Sequence, residues 1–109
     1  VPDRPLSPAT TDALRVLGLQ IATARRARRW TSAELAERAG VSLLTLRRAE
    51  RGEPSVSIGT VFELATLAGV PLYFPEREAV SIAGANLTNR LALLPSRVRE
   101  RAGDNRDDF

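Results

Sequence analysis

A chain of 109 residues, 43% hydrophobic and 27% charged, has the size and make-up of one folded domain and excludes a mainly disordered protein. With no cysteine and no histidine it has no disulfide framework and no thiolate metal site, and it lacks the commonest general base and metal ligand. The net charge is +3 and all 16 basic side chains are arginine, the side chain best shaped for bidentate contact with phosphate and guanine edges. Codon usage alone explains an arginine excess, so the positions of the arginines matter more than their number.

No apolar run approaches the roughly 18 residues of a membrane span. Residues 1–8 lack the apolar centre of a secretory leader, and a cytoplasmic address is expected. The expected fold is all-α, with five helices. Residues 1–10, with three prolines, read as a flexible arm. Thr10 or Thr11 is then expected to cap a helix over residues 12–28, with Leu14, Leu17, Ile21 and Ala24 as its apolar stripe. Thr31 and Glu34 have the spacing of a capping box, which opens a second helix over 32–39 that Gly40 stops.

Ser42 caps a third helix over 43–51 and Ser57 a fourth over 58–68, each closed by a glycine. Residues 70–74 are too short for a helix; they read either as an edge strand that pairs with a second copy or as a buried connector. A fifth helix follows over 76–94, with Val80, Ala83, Leu87, Leu91 and Leu94 on one side and Pro95 at its end. This divides the chain into an arm (1–10), a four-helix domain (11–70), a segment with the fifth helix that is free to pair with a second copy (71–95) and a flexible tail (96–109).

Two short helices joined by a glycine-centred turn are the elements of a helix-turn-helix. Close crossing needs a small residue mid-way along the first helix, here Ala36, and a left-handed residue at the turn, here Gly40. Leu35, Ala39, Val41, Leu46 and Ala49 are apolar where the crossing must be sealed. With Leu46 and Ala49 turned inward, Leu44, Arg47, Arg48 and Arg51 face out and Leu43 stands at the exposed first turn. Arg48 is then the best base reader, Leu43 and Leu44 suit thymine methyls, and Thr45 reaches a base edge. Phosphate contacts are expected from Arg29, Ser32, Ser42, Arg47, Arg51, Ser55 and Ser57, near helix N-termini. Ser42 and Ser57 also have a sufficient role as caps. Trp30 reads as a core residue, and no aromatic series suits single-stranded nucleic acid.

The run Thr-Ser-Ala-Glu-Leu-Ala-Glu-Arg-Ala-Gly-Val-Ser-Leu-Leu-Thr-Leu-Arg-Arg-Ala-Glu-Arg-Gly, residues 31–52, resembles the Cro/phage-repressor (XRE) family of DNA-binding domains. The resemblance extends over 12–70 and implies a structural ion pair between Arg25 and Glu50. Polar amide side chains are common in that family where this chain has Ser32, Leu43 and Leu44. The segments Gly-Thr-Val-Phe-Glu-Leu-Ala (59–65), Gly-Val-Pro-Leu (69–72), Arg-Leu-Ala-Leu-Leu-Pro-Ser-Arg-Val-Arg (90–99) and Asp-Asp-Phe (107–109) are similar to HipB-type antitoxins. That likeness implies a bacterial operon autorepressor, nucleoid-associated when bound to its operator, that also neutralises a HipA-like kinase toxin.

The implied partners are duplex DNA, a second copy and the toxin. Asp107, Asp108 and Phe109 form the candidate toxin contact, an acidic run ending in an aromatic anchor. No membrane, cofactor or metal is implied, and the chain is expected not to be an enzyme. A stand-alone XRE-family regulator, or an interaction adaptor that has lost DNA binding, are the alternatives.

Overall fold

The computed structural model describes residues 5–97 and contains five α-helices in chain order: α1 (Pro8–Ala27), α2 (Ser32–Ala39), α3 (Leu43–Glu50), α4 (Ile58–Ala68) and α5 (Arg77–Leu93). By compactness the chain divides into two units, Val1–Tyr73 and Phe74–Phe109. In the first, α1 packs on α3 and α4, and α2 packs on the same two helices. Each helix contributes to one core: Ile21 from α1, Leu35 and Ala36 from α2, Leu46 and Ala49 from α3, and Leu64, Ala65 and Ala68 from α4.

Side-chain caps set the starts of α1 to α4. The amides of Thr10, Thr45 and Thr60 donate to the hydroxyls of Ser7, Ser42 and Ser57. Thr31 and Glu34 exchange two bonds of 3.1 Å, the reciprocal capping box. The Thr31 backbone amide, then the Thr31 side chain and the nearby Arg38 charge, hold the Glu34 carboxyl below its usual value. Gly40 ends α2 at φ 69°, a left-handed geometry that costs a residue with a Cβ about 1–2 kcal/mol.

Helix α1 starts four residues before the expected Asp12, so residues 8–10 belong to the helix and not to an arm. Neither Thr10 nor Thr11 is its cap. Ser7 is, with Pro8 in the first turn, where a proline's missing amide has no intrahelical partner to lose. Between α4 and α5 no strand forms among the described residues. Val70 is buried and Leu72 packs against the core, which is what the buried-connector alternative expects. Tyr73 has a left-handed φ of 70° and meets the Phe62 ring edge-on.

In the second unit, α5 has no buried residue, and Ile82, Leu87, Leu91, Leu93 and Leu94 are each more than half exposed. No described helix is long and apolar enough to cross a membrane. The expected tail contacts Asp107, Asp108 and Phe109 lie outside the described residues.

Candidate nucleic-acid interface

Three constraints hold α3. Leu46 and Ala49 anchor its inner face in the core. Its last turn lies directly on α1: a methyl group added at Gly18 would meet the Glu50 carbonyl oxygen and, at 2.7 Å, that of Ala49. Gly52, at φ 74°, stands equally close to the Leu14 and Arg15 backbone. The third constraint is electrostatic. Arg25 donates from Nε to Glu50 Oε2 at 2.8 Å, from Nη2 to Oε1 at 3.1 Å, and from Nη1 to the Trp30 carbonyl at 3.0 Å. Both side chains are nearly buried, at 8% and 12% exposure, so the fork ties the C-terminal end of α3 to α1 and to the α1–α2 junction.

With the inner face fixed, α3 presents Leu44, Arg47, Arg48 and Arg51 to solvent. Leu43 departs from the expected exposed position: it is half-buried and packs against the core, because it lies one turn before Leu46 on the inward side. Thr45 is half-buried too, and its hydroxyl accepts from Ser42 at 2.9 Å. The Ser42 hydroxyl proton is thereby used within the cap, as is that of Ser57, which donates to Thr60 at 2.9 Å. Ser55 is exposed beside α4, and Ser32 is half-buried in the first turn of α2. Arg29 follows α1 with a left-handed φ of 61°, an exposed arginine where glycine is the unstrained choice.

Two features were not anticipated from the sequence. Trp30 packs on the core as expected, but its ring also lies under two guanidinium groups, Arg38 at 4.2 Å and Arg28 at 5.1 Å from the centroid. Glu53 lies against the recognition helix, 2.8 Å from Arg51 Nε and 3.9 Å from Arg48 Nε. Arg47 has no acidic partner within salt-bridge distance among the described residues. Nor do those residues contain a cluster of three acidic side chains placed to hold a metal ion.

Residues 21–74 match a helix-turn-helix family model. That segment, 54 of the 109 residues, is similar to the helix-turn-helix family. The match begins inside α1 and ends just before α5. No curated protein and no solved structure matches the chain. In DNA-binding helix-turn-helix domains the second helix of the motif enters the major groove. Here that helix is α3. Its outward face carries three arginines and one leucine, and the capped N-terminus of α4 follows it in the chain.

Proposed function

We propose that the protein is a sequence-specific transcriptional repressor that lays α3 in the major groove of duplex DNA. The observation that carries this reading is the division of α3 into an inner face locked on α1 and an outer face of Leu44, Arg47, Arg48 and Arg51. A helix held by its buried side and its last turn meets the groove in one orientation, which base readout requires. Arg48 reads a guanine edge, Leu44 contacts a thymine methyl and Thr45 reaches a neighbouring base. Arg29, Ser32, Arg47, Arg51 and Ser55 contact the phosphates and fix the register, and Ser42 and Ser57, their hydroxyl protons used within the caps, contribute through the helix N-termini they cap. Leu43 contributes at the edge of the groove, since it packs partly against the core. In this reading the protein acts as a binder and not as a catalyst.

One such module reads few base pairs, so the protein works as a homodimer on a two-fold site. The exposed leucines of α5 support this. In the finer reading the repressor is the antitoxin of a HipBA-like operon, acts in the cytoplasm, and holds a HipA-like kinase through Asp107, Asp108 and Phe109. The resemblance of residues 59–65, 69–72, 90–99 and 107–109 to HipB-type proteins supports that step.

Arg48→Ala tests the DNA reading. It should relax discrimination at one operator position by about 1–3 kcal/mol and leave the fold intact, as measured by relative affinities across single-base operator variants. Unchanged relative affinities would remove Arg48 from base readout. A pull-down of tagged full-length protein from host lysate tests the antitoxin step. A stoichiometric kinase-like partner, lost on deletion of residues 96–109, is the expected result; DNA alone in the eluate would leave a stand-alone regulator. Sedimentation at micromolar concentration tests the dimer, and a monomer there would count against it.

A further inference from the structure

The recognition helix ends in a way that places one carboxylate between two of its arginines. The Gly52 amide donates to the Ala49 carbonyl and the Glu53 amide to the Arg48 carbonyl, each at 3.0 Å. With Gly52 left-handed, this is the paired bonding that turns a chain back over the last turn of a helix. The Glu53 backbone is therefore fixed beside the Arg48 turn. From there its carboxylate reaches Arg51 Nε at 2.8 Å and lies 3.9 Å from Arg48 Nε. An acid just past a helix C-terminus works against the helix dipole, so helix stability does not account for it.

We infer that Glu53 is a positioning residue that sets operator specificity by orienting Arg48 and Arg51 and discouraging contacts to phosphate alone. The inference rests on the DNA-binding reading above and deepens it. Glu53 accepts its hydrogen bond from Arg51 at Nε and approaches Arg48 most closely at Nε, so among the described residues no hydrogen bond to Glu53 occupies the Nη ends, and those planar forks can meet a base edge from Arg48 and a phosphate from Arg51. Its negative charge offsets part of the attraction that three exposed arginines exert on any phosphate backbone. A loose, sequence-independent complex uses those arginines only as charges, and Glu53 opposes it. A groove-docked complex uses their direction as well, and Glu53 favours it. Arg47, with no acidic partner nearby among the described residues, remains an ordinary phosphate contact.

The test compares wild type with Glu53→Gln on two duplexes: one selected by the wild-type protein from a randomised pool, and a scrambled duplex of the same length and composition. The variant keeps the backbone bond from residue 53 to Arg48, and circular dichroism checks its fold. Its affinity for the scrambled duplex should rise about threefold to tenfold at low salt, and its plot of log affinity against log salt should steepen by about 0.9 for each additional phosphate neutralised. The ratio of selected to scrambled affinity should fall by at least about threefold. If wild type prefers its selected duplex and the variant matches both that ratio and the salt slope, the assignment of Glu53 is overturned while the DNA-binding reading stands. If wild type selects no duplex and binds none, the DNA-binding reading falls and this inference with it.

Discussion

Arg25→Ala is expected to lower the stability of the helix-turn-helix domain by about 3–5 kcal/mol, the usual cost of removing one partner from a buried ion pair. The variant strands the Glu50 carboxylate at 12% exposure and deprives the Trp30 carbonyl of its donor. A domain of this size has about 5–15 kcal/mol in total, so urea denaturation should show a large fall in the midpoint. The double variant Arg25→Met/Glu50→Leu should recover much of the loss, because it takes both charges out of the low-dielectric site at once. A single variant within about 1 kcal/mol of wild type would mean that the pair is solvated and that α3 is held by packing alone.

Gly18→Ala should be the second severe change. Alanine is the better helix former by about 1 kcal/mol, but the new methyl group would sit against the carbonyls of Ala49 and Glu50. Those are backbone atoms at the end of α3 and cannot rotate away as a side-chain tip can. The two helices must part, at a cost of about 1–3 kcal/mol or more, which outweighs the gain in propensity. Thermal unfolding should show the loss, and DNA affinity should fall further than stability alone predicts because α3 shifts on its support. Gly59→Ala is the control. Its methyl group would meet no atom within 4 Å, so it should be neutral or stabilising. Equal behaviour of the two variants would show that the α1–α3 approach is not close.

Both sites share a feature that bears on how the fold can be read. Gly18 interrupts an otherwise regular helical pattern, and the sequence attaches no signal to it. Its role depends on which helix crosses there, and that is decided by residues some 30 positions later in the chain. The Arg25–Glu50 pair is accessible only through resemblance to a known family; spacing and period do not select one of 16 arginines as a partner for Glu50. Glu53 lies outside every periodic segment and so carries no sequence signal of its own. Its reach to Arg48 depends on the reversal at Gly52, which is written in the sequence, but whose effect on a side chain is not.

The start of α1 is legible in the sequence, but two signals compete there. Ser7 and Thr10 repeat the spacing of Ser42 and Thr45 and of Ser57 and Thr60, and all three pairs cap helices. Three nearby prolines point instead to an arm, although a proline just after a serine is also a helix start.

What the sequence by itself determined is the local order: α2, α3 and α4 with their caps, the turn at Gly40, and the inward faces of Leu35, Leu46 and Leu64. Caps and helical period act within a few residues, so they leave their pattern along the chain. Only the tertiary structure decided which charges meet, which glycine is indispensable, how deeply Leu43 is buried, and that guanidinium groups cover Trp30. Those contacts form between elements, and their energies depend on burial and on the approach of backbones, which exist only once the helices have packed.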